Sequence, residues 1–501
     1  MTTPTPHRYP VVPTRRGPVR GERRADGSVR FLGVPYAQPP VGELRFAAPV
    51  PPRPWTEVLD ATAYGPTAQR RPFGEVTTIP EPTVPGAGIL NLNVFTPDLA
   101  PADGLPVLVW IHGGGFVAGS SASPWYDGAA FNRDGVVLVS IGYRLGIEGF
   151  LHLPDAPDNR GVRDWIAALE WVRDNIASFG GDPAKVTVAG QSAGGGAVQT
   201  LLATPAAQGL FRAAITASGA VMRPQDRATA EAVTRAFTAR TGVPATAVAL
   251  RDATDAELLA FQDTLDTGGP DPDGLPMLPL APFADGELVP VPVPQALAEA
   301  AVPLLLGFTA HEFAAPGSQD DRPDAELPIL LGALGLDEHR AARFLAERPG
   351  AAGGEAITDW LFRAPALAIA EARAERERPT WLYQFDWSGT APGRTGQAYH
   401  CTDLPFAFDL LHAEGVTAAL GTEPPQDLAD AVHGAWVAFV RDLAPGAAWP
   451  SYRDGRATMR WHAEPRLERD PLSSVREIWL GATCPPPLRT ARVDVSEPGA
   501  G

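Results

Sequence analysis

Two short glycine-rich stretches carry the residue types that acyl transfer needs. The first is Gly190-Gln191-Ser192-Ala193-Gly194. The apolar, β-branched run Val186-Thr187-Val188 precedes it, and a small-residue helical pattern with Val198, Leu201 and Leu202 on one face follows. A strand, a tight turn and a helix with serine at the apex form a nucleophile elbow. The turn would set the Ser192 hydroxyl at a helix N-terminus, where exposed N–H groups favour negative charge. A serine hydroxyl is a weak nucleophile near neutral pH, so it needs a base, and the base needs an orienting acid. The oxyanion formed on attack also needs N–H donors already in place. The second stretch, His112-Gly113-Gly114-Gly115-Phe116, directly follows the apolar run 107–111 and suits that donor role. Lipases and esterases with an α/β-hydrolase architecture use such a loop together with the N–H that follows the nucleophile, here Ala193. A phosphate-binding turn is the rival reading, but no lysine follows as in a P-loop, and the glycine spacing is not G-x-G-x-x-G.

Nine histidines compete for the base. His7 lies in the Pro-rich start, His112 in the donor loop and His433 on a helical pattern. His152, His339, His412 and His462 have no catalytic context. His311-Glu312 has no second histidine at metal-site spacing. His400 follows a late strand pattern, 380–386, and a loop containing Gly393 and Gly396, which is where a base belongs. Among acids, Glu312 lies just past the strand pattern 302–307. The order Ser192, Glu312, His400 is the Ser…Asp/Glu…His order of that fold. Asp285 and Asp403 are rivals on the residues alone, although Asp403 stands close to His400 along the chain.

The elements that must position these residues read as a parallel α/β sheet. Near-continuous apolar strands at 107–111, 136–141, 186–188, 211–218, 302–307 and 380–386 alternate with helical patterns. Residues 161–178 form an amphipathic helix with Trp165, Ala168, Leu169, Val172 and Ile176 on one face. Residues 223–261 read as Ala-rich helix, 264–294 as surface loop, and 324–348, 354–376 and 428–443 as helical. The first residues suit short antiparallel edge strands around 11–12, 19–20 and 29–32. No linker divides the 501 residues, so a single domain over 1–501 is expected, with loose ends at about 1–8 and 493–501.

Composition narrows the functions. The formal net charge is −17, which argues against nucleic acid or an anionic membrane as partner, since both need basic patches. Lys185 is the only lysine. Two cysteines, Cys401 and Cys484, are no disulfide framework. No signal peptide or membrane span is legible. The expectation is a soluble cytoplasmic monomer acting on a small molecule, with no cofactor and no metal.

The ordered motifs resemble the type-B carboxylesterase family, in its bacterial para-nitrobenzyl esterase-like branch, over most of the chain. They are FLGVPYAQPPVGELRF (31–46), LNLNVFTPD (90–98), VWIHGGGFVAGS (109–120), NRGVRDWIAALEWVRDNIASFGGDP (159–183), VTVAGQSAGG (186–195), FADGELVP (283–290), LLLGFTAHEF (304–313), DWLFRAPALAIA (359–370), AYHCTDLPFAF (398–408) and WPSYRDG (449–455). The resemblance implies an α/β-hydrolase fold with helical cap insertions. It also implies a Ser192–Glu312–His400 triad and an oxyanion hole of Gly114, Gly115 and Ala193. The implied activity is carboxylic ester hydrolysis through an acyl-enzyme. Carbamate, amide or lactone hydrolysis by the same triad is the alternative, and a non-catalytic relative that binds only is less favoured because all three triad residues are kept. A cholinesterase is disfavoured, because the loop 68–88 offers Phe73 as its only aromatic ring. The sequence departs from the family at Ala87-Gly88-Ile89, where an acidic residue and a disulfide cysteine are usual, so Arg45 must find another partner. Trp165 stands where the family usually has Gln. Phe116, Trp125 and Tyr126 are candidates to line the substrate pocket, with core packing the competing explanation for each.

Overall fold

The computed structural model describes residues 8–72, 78–219, 225–266, 271, 273–313, 326–348 and 353–480. His7, Phe73, Cys484 and the tail 493–501 lie outside these residues. The described chain is built on one eleven-stranded sheet. Its strands are β1 (Glu22–Arg23), β2 (Val29–Pro35), β3 (Asn91–Thr96), β4 (Leu105–Ile111), β5 (Val137–Ile141), β6 (Gly181–Gln191), β7 (Ala213–Ala217), β8 (Leu304–Thr309), β9 (Thr380–Phe385), β10 (Ala457–Trp461) and β11 (Arg466–Arg469). Their spatial order is β11-β10-β9-β8-β7-β6-β4-β5-β3-β2-β1. From β10 across to β5 every neighbouring pair is parallel. The pairs β1–β2, β2–β3, β3–β5 and β10–β11 are antiparallel. The early strands Val11–Pro13 and Pro18–Arg20 pair antiparallel in a small separate sheet, with Leu59–Asp60 alongside Pro18–Arg20.

Both faces of the sheet are covered, which is why the central strands are apolar on successive residues. Along β4, Val107, Val109 and Ile111 join one buried cluster, and Leu108 and Trp110 join the other. Helix α1 (Arg160–Asn175) and helix α2 (Ala193–Leu202) cover the first face. Helix α4 (Gln426–Asp442) covers the second with Leu428, Val432, Trp436 and Phe439. The stripe Trp165, Ala168, Leu169, Val172 and Ile176 is buried as its period requires, while Glu170 and Arg173 are exposed. A 3-10 turn, Ile176–Phe179, extends α1 and ends at Gly180, whose φ of 83° is left-handed.

The structure differs from the sequence pattern in the cap. The Ala-rich stretch is three helices, Arg227–Thr241, Ala247–Leu250 and Asp255–Asp263. The expected loop 264–294 contains Phe283–Ala284, which pairs with Gln225–Asp226, and Val293 opens the helix Val293–Glu299. A two-residue strand is too short to show a period of two. The helical run 354–376 is interrupted by a π-turn, Asp359–Arg363, before helix α3 (Ala364–Glu375). Pro365 carries no N–H, so the carbonyl of Leu361 loses its usual donor there.

Candidate active site

The candidate residues gather at the carboxyl ends of adjacent parallel strands, the edge where open α/β sheets place their sites. In spatial order, β9, β8, β7, β6 and β4 lead to His400, Glu312, Ser218, Ser192 and the glycine loop. Strand order thus brings together residues far apart in the chain.

Ser192 has φ 55° and ψ −126°, a conformation that a non-glycine residue holds only when its surroundings enforce it. Its N–H donates to Ala217 O at 2.9 Å. The turn is pressed against the end of β4: a methyl group at Gly194 would lie 2.0 Å from Ile111 O. A methyl at Gly113 would lie 3.1 Å from Ser192 Cβ. The elbow and the glycine loop are therefore in direct contact. Gly114 has φ 110°, and a methyl there would meet Ala118 O at 2.3 Å. Among the described residues no backbone partner takes the N–H of Gly114, Gly115 or Ala193.

Glu312 is fully buried. Its Oε1 accepts from Ser218 Oγ at 2.7 Å and from the Thr309 N–H at 2.8 Å. Its Oε2 faces His400 Nδ1 at 2.5 Å. The loops carrying the two residues are stitched together. The His311 N–H donates to Ala398 O at 2.9 Å, and the His400 N–H to Glu312 O at 3.2 Å. The Ala398 N–H donates to His311 Nδ1 at 3.0 Å. Phe313 stacks on the His400 ring at 5.2 Å between centroids, and Phe362, from the π-turn, lies at 5.3 Å. Arg363, next in that turn, pairs with Asp359 at 2.5 Å and donates to Ala310 O, fixing the approach to Glu312.

Burial opposes charge on His400, but Cys401 and the Glu312 carboxylate outweigh it and hold the imidazole pKa well above its ordinary value. The Nε2 atom of His400 faces Gln191 Nε2 at 3.2 Å. Among the described residues the ring nitrogens of His400 meet Gln191 and Glu312, and not Ser192; contacts of the nucleophile with its base tighten when substrate is bound.

The rival residues go elsewhere. Asp285 accepts from Asn159 Nδ2 at 2.8 Å and from the N–H groups of Glu287 and Val289. Asp403 accepts from Tyr383 Oη at 3.0 Å, and burial pushes its carboxyl up to about 6. His112 is buried, stacks on Tyr143 at 4.5 Å, and is pushed down by burial to about 4. His152 pairs with Asp158 at 2.7 Å, and His433 with Asp134 at 3.0 Å.

The three pocket candidates are core residues. Phe116 packs on Phe150 and Trp165. Trp125 donates from its indole to Glu414 O at 2.8 Å. Tyr126 lies against Trp110 and Phe408. Arg45 replaces the acidic partner that this chain lacks at 87–89: it pairs with Glu148 at 2.7 Å and Asp255 at 3.1 Å, and donates to Arg251 O and Ala253 O. Cys401 is a free, buried thiol. Gln191, Phe313, Phe362 and Arg363 lie inside the quoted motifs, which gave none of them a role, and the only sequence signal at Ser218 is the end of a strand pattern.

An eleven-stranded sheet with a serine elbow, a glycine loop and a Glu–His pair at its carboxyl edge defines an α/β-hydrolase-fold enzyme. The family model described as "Carboxylesterase family" matches residues 8–327 and 341–474, and the chain belongs to that family. It is similar to the para-nitrobenzyl esterase of Bacillus subtilis (strain 168), 38% identical over 94% of this chain and 98% of the relative. Phenmedipham hydrolase of Pseudarthrobacter oxydans is 34% identical over 89% of this chain and 93% of that protein. A solved PNB esterase superposes with a TM-score of 0.80 at 36% identity, covering 93% of this chain and 99% of that one. The protein is a carboxylic ester hydrolase of the serine type. Among the described residues no helix is long and apolar enough to cross a membrane.

Proposed function

We propose that the protein hydrolyses small carboxylic esters through an acyl-enzyme on Ser192, with His400 as base and Glu312 as its orienting acid. The observation that carries this reading is the Glu312–His400 contact of 2.5 Å beside the strained serine elbow. Glu312 accepts a hydrogen bond from Nδ1–H, which fixes the tautomer whose Nε2 lone pair takes the Ser192 proton as Oγ attacks the carbonyl. The N–H groups of Gly114, Gly115 and Ala193 meet the oxyanion, and each donor is worth about 3–4 kcal/mol by comparison with other hydrolases. His400 then protonates the leaving alcohol, and water, activated by the same nitrogen, cleaves the acyl-enzyme. Phe313 and Phe362 keep the imidazole in apolar surroundings.

The test is Ser192→Ala assayed on para-nitrobenzyl and para-nitrophenyl esters, with circular dichroism to confirm folding. We expect turnover to fall by about a millionfold. Retained ester turnover in a folded, uncontaminated Ser192→Ala preparation overturns the assignment.

A further inference from the structure

The nitrogen that must receive the serine proton is already engaged, and not by the serine. His400 Nε2 lies 3.2 Å from Gln191 Nε2. The tautomer follows from the other side of the ring: a carboxylate only accepts, so Nδ1, 2.5 Å from Glu312 Oε2, carries the hydrogen. In the neutral imidazole Nε2 is then a lone pair. An amide N–H fits a lone pair, whereas the reversed amide would set its carbonyl oxygen against it. The Gln191 side chain is 1% exposed, and its Oε1 has no partner among the described residues. That oxygen lies against the glycine loop, where a methyl at Gly113 would come within 3.1 Å of it. The absence of a side chain at Gly113 leaves the room that the Gln191 amide occupies.

We propose that Gln191 is a positioning residue for His400: its side-chain amide holds the Nε2 lone pair in the free enzyme and yields it to the Ser192 hydroxyl when the proton is transferred. The inference rests on the triad reading above. Its consequence is electrostatic. When Nε2 takes the proton from Ser192 Oγ, it presents an N–H to the Gln191 N–H, and the two repel. Gln191 therefore favours the neutral ring and opposes the cation.

The other groups around His400 are accounted for. Glu312, from the end of β8, favours the cation. Cys401, next in the chain, acts in the same sense. Asp403 is engaged by Tyr383, and His311 by Ala398. Arg363 is turned towards Asp359 and Ala310 O. Phe313 and Phe362 carry no charge. Gln191 is the group that meets Nε2 itself.

The test is the pH dependence of kcat/KM on a para-nitrophenyl ester for Gln191→Met and Gln191→Glu, beside the unaltered enzyme and Ser192→Ala. Removing the donor in Gln191→Met moves the midpoint of the acid limb to higher pH. A carboxylate in Gln191→Glu moves it further, by about one pH unit or more, because an opposite charge stabilises the imidazolium. At a fixed pH well down that limb, a midpoint about one pH unit higher lowers kcat/KM about tenfold. An acid limb that stays in place in either folded variant overturns the role of Gln191. If Ser192→Ala is inactive while the limb stays in place, only this inference falls. If Ser192→Ala retains turnover, the triad reading falls with it.

Discussion

At the scale of single residues, the site is held by conformations that side chains ordinarily avoid. Ser192, Ser218, Cys401 and Phe116 all have positive φ, at 55°, 47°, 74° and 65°. Each is fixed by its neighbours, as where the Ser218 N–H donates to Gly307 O at 2.7 Å. Such outliers persist only where the surrounding structure over-determines them. The same local determination sets the charge of His400. Burial works against the imidazolium, yet Cys401 and Glu312 raise the pKa well above its ordinary 6.5. With His400 as the proposed base, activity needs the neutral ring, so kcat/KM falls as pH drops through that raised value. The acid limb therefore has its midpoint above pH 6.5. Glu312→Gln removes the charge that favours the cation, so the midpoint moves to lower pH. It also loses the acceptor that fixes the tautomer, and kcat drops about ten-thousandfold by comparison with other triads. A pH series of kcat/KM for both proteins checks this; a midpoint unmoved by Glu312→Gln contradicts the electrostatic account.

At the scale of elements, what can be read from the chain depends on whether a loop carries its own signal. The elbow and the glycine loop were legible because each repeats a recognisable glycine spacing, and each has a glycine demanded by a contact within the motif or just beyond it: a methyl at Gly190 would lie 2.3 Å from Gly194 O. Gly114 shows this best. Its carbonyl accepts from the N–H groups of Val117 at 3.0 Å and Ala118 at 2.8 Å, so the turn cannot open to admit a side chain. Gly114→Ala would force a methyl against Ala118 O at φ 110°. The variant should fold, with kcat lowered about a hundred- to a thousandfold, the cost of losing one oxyanion donor. Steady-state kinetics beside a thermal melt separates that from general unfolding, and an unchanged kcat removes the loop from the mechanism. Ser218 was not legible, because a serine ending the apolar strand Ala213–Ala217 has no motif. Its bond to Glu312 exists only because β7 lies between β6 and β8, a fact of strand order. The π-turn was equally hidden: residues 354–376 have helical composition, and only the geometry reveals that Phe362 and Arg363 are turned towards the site. The family resemblance decided for Glu312, since on the residues alone Asp285 and Asp403 were rivals to it.

At the scale of the whole molecule, buried guanidinium groups tie distant segments into one body. Arg373 donates to the carbonyls of Leu297, Ala300 and Val302 and to Thr380 Oγ1. Arg144 is the most consequential, because its segment also supports the glycine loop: the Gly146 N–H donates to Phe116 O at 2.8 Å. Arg144 meets Asp164 of α1 through Nε at 2.8 Å and Nη2 at 2.6 Å, and donates to Ala47 O at 2.7 Å. Both side chains are essentially without solvent contact. A buried pair of this kind is not by itself a large gain over apolar packing, but breaking it strands an uncompensated charge. Asp164→Asn keeps the shape and removes the charge, so it should cost about 3–5 kcal/mol of stability. Arg441 and Asp442, paired at 2.8 Å on the surface, provide the contrast. Arg441→Ala should cost at most about 1 kcal/mol, because water screens an exposed pair. Denaturant unfolding of the two variants beside the unaltered protein decides the matter, with unfolding rates compared if refolding is incomplete. If Asp164→Asn unfolds at the same denaturant concentration as the unaltered protein, the backbone carbonyls alone satisfy Arg144, and the site is not anchored through this pair.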